Sequence, residues 1–184
     1  MGWDDFKPDM IAEEKAQIIL QANHPDSIVL KTEAERKDMG LNWYDMKTKD
    51  SRTIEAKFDS HVLDDQTSRS RFTGNTFMEF FSQSGIIGGL FKAFMDNVDI
   101  FIYKFMFEDK SNVSWKEGSN HDLELIMDTK KLFYRVLKGM FIQGHRISKN
   151  PETSYGVLTP IDYIRDLQDT SLLEPPVLIR TIRK

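Results

Sequence analysis

Three observations predict an α/β domain with a mixed, largely antiparallel central sheet flanked by helices. Strand-like alternation recurs in short runs from Ser27 to Met127, amphipathic helical stretches stand before, within and after them, and Gly, Pro and Asp-rich breaks separate the two kinds. The order helix, hairpin, two strands, helix, strand, helix leaves a sheet whose faces need helical cover. A length of 184 residues fits one domain, since about 100 to 200 residues is the usual allowance. Residues 1–184 are therefore read as a single unit, with 172–184 an extended tail around Pro175-Pro176 that ends basic.

The first helix is expected over Pro8 to Gln21. Pro8 suits a first turn, Asp9, Glu13 and Glu14 lie where the helix dipole favours acids, and Ile11, Ile18 and Ala22 share a face. His24-Pro25-Asp26 ends it, because the residue before proline is pushed out of the α region. Ser27 to Lys31 reads as a short buried strand, followed by a charged connection from Thr32 to Met39. Asn42 to Lys47 and Arg52 to Asp59 form a hairpin about the polar turn Thr48-Lys49-Asp50-Ser51. Trp43 and Tyr44 either anchor that hairpin or contact a ligand base.

Ser60 to Phe72 is polar and without period, so it reads as a loop. Asn75 to Phe81 and Val98 to Phe107 are the next strands, joined through the tight Gly85 to Gly89 connection and a helical Leu90 to Met95. Alternating Phe101, Tyr103, Phe105 and Phe107 read as core. Asp122 to Met127 is a fifth strand, and Thr129 to Lys138 a helix with Leu132, Phe133, Val136 and Leu137 on its apolar face. Thr159-Pro160-Ile161-Asp162 has the composition of a helix start, with Thr as cap and Pro first, and Ile161, Ile164 and Leu167 make the buried stripe.

Composition excludes several classes. Hydrophobic content of 40% and charged content of 29% are those of a globular chain. The lack of cysteine removes disulfides, thiolate zinc sites and cysteine nucleophiles, and fits a reducing, cytoplasmic setting. The acidic start Met1-Gly2-Trp3-Asp4-Asp5 does not read as a secretory signal. The apolar stretch Gly85 to Phe107 is broken by Lys92, Asp96, Asp99 and Lys104, so no membrane span is expected. His24, His61, His121 and His145 lack metal-ligand spacing, and no phosphate-binding glycine loop or nucleophile elbow occurs.

The chemistry gathers on the hairpin. In Glu55-Ala56-Lys57 the acid and the lysine are two apart, so on a strand they face the same side. Antiparallel pairing brings a residue from 42–45 toward Glu55, in a register that sequence leaves open. Two carboxylates supply hard oxygen ligands for Mg²⁺, which takes one or two of them together with waters and phosphate oxygens. A charged lysine is no ligand, but it orients a water or stabilises developing phosphoryl charge. That combination suits phosphodiester hydrolysis. Arg69, Arg71 and Lys92 are candidates for phosphate contacts.

These residues resemble the PD-(D/E)xK nuclease superfamily, of restriction-endonuclease-like and Holliday-junction-resolvase-like fold. Its pattern is an Asp, a gap of ten or more residues, then Glu-x-Lys on the next strand. Gly40-Leu41-Asn42, Glu55-Ala56-Lys57 and Thr73-Gly74-Asn75 with Glu79 look like the fuller layout of some members, and the likeness runs from Glu14 to Phe107. The resemblance implies a Mg²⁺- or Mn²⁺-dependent DNA nuclease of endonuclease or resolvase type, from a bacterial cell or a phage-infected host. It implies Glu55 and an acid near 42–45 as metal ligands, Lys57 at the attacking water, and Glu79 and Glu14 as completing or flanking acids. Asn42 stands where the metal-binding Asp is expected. Either Asp45 is the ligand in a shifted register, or the chain is an inactivated variant, or it is a natural non-cleaving relative. The alternatives to a nuclease are an inactive module of the same fold that binds nucleic acid or protein, and an acidic inhibitor of another protein, for which the net charge of −4 is the support. A homodimer with paired sites would ease the cutting of two strands.

Overall fold

Helix α1 (residues 16–23) stops at His24, whose amide reaches the carbonyls of both Leu20 and Gln21 before Pro25 turns the chain. The computed structural model describes residues 16–32, 44–59, 75–82, 87–105, 123–150 and 154–174. After α1 come β1 (Ile28–Leu30), β2 (Met46–Thr48), β3 (Thr53–Asp59) and β4 (Asn75–Ser82). Helix α2 (Gly89–Met95), β5 (Ile100–Phe105), β6 (Leu123–Asp128) and helix α3 (Thr129–Ile142) follow. The chain then forms β7 (Ile147–Asn150), β8 (Ser154–Pro160), the short α4 (Ile161–Ile164) and two 3₁₀ turns, Arg165–Leu167 and Thr170–Leu173.

The protein is α/β, with a mixed five-stranded sheet of order β1-β2-β3-β5-β6. Only β3 and β5 run parallel, and the chain between them holds β4 and α2. The expected hairpin is present with its turn one residue further in. The Thr48 amide donates to the Arg52 carbonyl at 2.8 Å, and Ser51 takes φ +70. The Thr48 hydroxyl also receives the Arg52 amide at 3.0 Å and donates to Asp50, so side chains fix the turn and with it the register Met46 to Ile54.

The strand expected over Asn75 to Phe81 differs in partner. β4 leaves the central sheet and joins a separate antiparallel sheet of order β4-β8-β7. Alternation identifies a strand but not its neighbour, and β7 and β8 supply that neighbour from far down the chain. The expected Thr159 cap is also replaced. β8 runs through Thr159 to Pro160, which pairs with Asn75, so Pro160 holds the cap position without a side-chain bond. The helix begun there is one turn long before it tightens to 3₁₀ geometry. The Leu172 to Leu173 part of the expected extended tail lies in a 3₁₀ turn, with Leu173 buried.

β5 divides the core. Phe101, Tyr103 and Phe105 enter a larger cluster with Met78 and Val157 of the second sheet, Leu90 of α2 and Leu132, Phe133 and Val136 of α3. Ile100 and Ile102 face the other way, among Leu20, Ile28, Met46, Ile54, Ala56, Ile126 and Leu173. Period-two alternation on one strand thus serves both faces. The Tyr103 hydroxyl accepts the Phe77 amide at 3.0 Å and so pins β4 across the central sheet. Among the described residues no helix is long and apolar enough to cross a membrane.

Candidate functional site

On β3, Ile54 and Ala56 are buried in the smaller cluster, so alternation turns Glu55 and Lys57 to the opposite face, where both are half-buried. Their neighbours on parallel β5 are Phe101 and Tyr103. Asp45 stands one residue before β2 and leaves regular ladder geometry. Its amide donates to the Ile54 carbonyl at 2.8 Å, and its Oδ2 accepts the Ala56 amide at 2.7 Å. The carboxylate therefore lies against the peptide that joins Glu55 to Ala56. A carboxylate bound to a backbone amide is held firmly in place, since such charge-assisted bonds are about twice as strong as neutral ones.

The second sheet supplies a third acid. Glu79 Oε2 of β4 stands 3.6 Å from Lys57 Nζ, the two side chains being 20% and 39% exposed. Tyr103 beside Lys57 and Phe77 beside Glu79 are the same pair that locks the sheets together, which explains the meeting. A β-bulge between Glu79 and Phe81 bends β4 just past the acid. Gly88 and Gly89 back the Glu79 side chain. A Cβ on Gly88 would lie 3.2 Å from Glu79 Oε1, and Gly89, at φ +51, would place one 2.8 Å from the Glu79 carbonyl oxygen. These glycines are expected to permit a turn; their further use is to leave room for an acid nine and ten residues earlier, which no local pattern signals.

Asp45 from just before β2, Glu55 and Lys57 from β3 and Glu79 from β4 thus come to one region of the sheet. Lys92 belongs to α2 and is paired with Asp96 at 2.6 Å within its own helix. Asn42, Glu14, Arg69 and Arg71 lie outside the described residues. Among the described residues no three His, Asp or Glu side chains form a ready-made metal cage. The donor set is instead carboxylate oxygen placed along the hairpin and β4, which is the chemistry of a hard cation that shares its coordination with water and phosphate. Compared with protein-family models, curated proteins and solved structures, the chain matches none.

A second charged cluster sits on the other face of the sheet. Lys104, fully buried, meets Glu124 Oε1 at 2.5 Å across the β5–β6 pair. His24 reaches Glu124 Oε2 at 2.7 Å, and Asn23 donates to Oε1 at 2.8 Å. Burial alone would raise the Glu124 pKa. The bonds from His24, Lys104 and Asn23 and the Lys104 charge outweigh it and hold the carboxyl at about 2. The cluster ties α1 to β5 and β6 and is read as structural.

Proposed function

We propose that this chain is a divalent-metal-dependent DNA nuclease of restriction-endonuclease-like fold. The observation that carries the reading is the hairpin that sets Asp45 on the amide between Glu55 and Lys57, with Glu79 brought to Lys57 from the second sheet. The acid-bearing segment immediately precedes the strand bearing Glu-x-Lys, as the superfamily resemblance requires. Asp45 and Glu55 would hold the cation, with Glu79 flanking. Mg²⁺ or Mn²⁺ bound there supplies positive charge at the scissile phosphate. Lys57 would orient the attacking water and stabilise the negative charge on the phosphoryl oxygens as the water oxygen bonds to phosphorus and gives up a proton to solvent, while the ester P–O bond breaks and the leaving oxygen takes a proton from solvent. Glu79 holds the Lys57 ammonium on the working side of β3. The setting is a reducing cell interior, and a homodimer would present two such sites to the two strands of a duplex or junction.

The test is cleavage of labelled single-stranded, duplex and branched DNA in Mg²⁺ or Mn²⁺ by the chain and by Glu55→Ala, Lys57→Ala and Asn42→Asp. Cleavage lost in Glu55→Ala and Lys57→Ala supports the reading. Cleavage only after Asn42→Asp identifies a nuclease inactivated at that position. Silence from every form, with folding intact and DNA still bound, replaces the nuclease with a binding module.

A further inference from the structure

The exposed face of helix α3 has a composition of its own. From Thr129 to Asn150 the chain has Lys130, Lys131, Arg135, Lys138, Arg146 and Lys149 and no acid, although the whole chain stands at −4. Arg135 is used within the fold, where its guanidinium forks onto Asp166 at 2.8 and 2.9 Å. Lys130, Lys131 and Lys138 are exposed and meet no acid among the described residues. Aromatic rings stand between them, Tyr134 63% and Phe141 77% exposed. At about 100° per residue, Lys130, Phe141, Tyr134 and Lys138 fall within about 80° of the helix surface, with Lys131 and Ile142 at its edge. The opposite side of α3, through Leu132, Phe133 and Val136, is buried in the larger cluster. Tyr134 is also held in place, its ring meeting Phe94 and Phe133 edge-on at 5.7 and 5.9 Å.

A face of one charge sign suits an anionic partner. A second copy of this chain, docked face to face, would bring lysines against lysines, which like-charge repulsion opposes. A membrane-surface helix keeps its cations on one side and sinks its apolar side among the acyl chains. In α3 the apolar side is packed in the core, and the cations alternate with the rings along one stripe. Alternation of that kind suits a single strand, whose phosphates follow cations while its bases stack on aromatic rings. Paired bases in a duplex are covered by their neighbours and leave an exposed ring nothing to stack on. We infer that the Lys130, Tyr134, Lys138 and Phe141 face of α3 binds an unpaired nucleic-acid strand, with a base on each ring and the phosphates between them on the lysines. The rings are seven residues apart, about 10 Å along the helix. That is about three times the ~3.4 Å spacing of a stacked strand, so the bound strand lies splayed across α3. The site goes beyond the nuclease reading, since it rests on α3 alone and stands whether or not the chain cleaves.

The experiment is fluorescence anisotropy of a labelled oligothymidylate of about 20 nucleotides, longer than the ~4–16 that such sites cover, and of its duplex with oligoadenylate. The full chain is titrated in EDTA over a KCl series, so that no metal-dependent cleavage intervenes. Tyr134→Leu/Phe141→Leu keeps apolar bulk and removes both rings, Lys130→Gln/Lys138→Gln removes two charges, and Lys130→Arg/Lys138→Arg restores them. Circular dichroism melting checks folding, and Phe141→Leu alone, at the more exposed ring, serves should the pair unfold. Wild type should prefer the single strand to the duplex. The Leu variant should bind the single strand at least about tenfold more weakly with its salt slope unchanged. The Gln variant should lower that slope by about 1.4, at about 0.7 per phosphate contact, and the Arg variant should match wild type. Single-strand binding that ignores the Leu variant, or a wild type that binds neither form, overturns the inference. Phosphatidylserine vesicles bound through the same lysines, without any change on oligothymidylate, give the face to a membrane and overturn it too. Single-strand binding weakened as expected in a chain that cuts no DNA in Mg²⁺ supports this site and counts against the nuclease. Cleavage in Mg²⁺ with binding indifferent to the Leu and Gln variants does the reverse.

Discussion

Replacing Glu124 by Gln removes the carboxylate that meets the fully buried Lys104 ammonium and should cost about 3 kcal/mol at neutral pH. The figure follows from the carboxyl itself. Its pKa is held at about 2 against an ordinary 4.5, and that gap, at 1.36 kcal/mol per pH unit, comes to about 3 kcal/mol. Breaking a buried ion pair by removing one partner costs about 3–5 kcal/mol in general, so the two estimates agree. Because the folded pKa lies below the unfolded one, the contribution is complete above pH 4.5 and disappears as pH falls from there toward about 2. Urea unfolding of wild type and Glu124→Gln at half-unit steps from pH 7 to 2 reads both effects. The two stability curves should lie about 3 kcal/mol apart at pH 7 and converge in acid. A double replacement, Lys104→Met with Glu124→Leu, should recover most of the loss, since apolar pairs commonly replace buried ions without penalty. A loss under about 1 kcal/mol at pH 7, or a gap that persists unchanged at pH 2, would refute the reasoning.

Three further outcomes are expected. Asp45→Ala strips the Ala56 amide of its acceptor, costing about 1–3 kcal/mol in chemical denaturation and abolishing metal-dependent cleavage; Asp45→Asn should keep the stability and still lose cleavage. Gly156→Ala sets a Cβ into the Met78 carbonyl oxygen; at about 1–3 kcal/mol of overpacking, the melting temperature should drop by roughly 2–12 °C. Phe133, buried and stacked 3.9 Å from Phe94, should cost about 3–5 kcal/mol when cut to Ala, with calorimetry as the readout.

Local signals read well in this sequence where the periodic pattern and the turn chemistry agree. The hairpin, the alternating β5 core and the α3 stripe carry both, and their side chains land on the expected faces. β7 was not anticipated, because Ile147-Ser148-Lys149-Asn150 is four residues long and gives alternation too little length to register. The second sheet was invisible for a different reason. Period two marks a strand, but the partner of β4 is chosen by packing of Met78 and Val157 against β5, which is a property of the assembled core. Thr159 shows the same override, since its cap-like sequence lost to the β4–β8 ladder. Of the candidate site, the common face of Glu55 and Lys57 was legible from spacing, while their choice as site residues came from the family resemblance. The role of Gly88 and Gly89 behind Glu79 depends on a close approach that sequence does not encode locally.

The division of the site between two sheets also sets an order in time. Asp45 and Ala56 are 11 residues apart and meet by closing one hairpin. Glu79 is set only when β4 finds β8, through contacts such as Thr76 to Thr159 that span 83 residues. Loops of such different length close at different rates, the short one first. During synthesis, therefore, the hairpin half of the site can form early, while the lysine gains its second-sheet acid only after β8 has left the ribosome. A chain still being made therefore lacks the Lys57–Glu79 pair, which forms once β8 is in place.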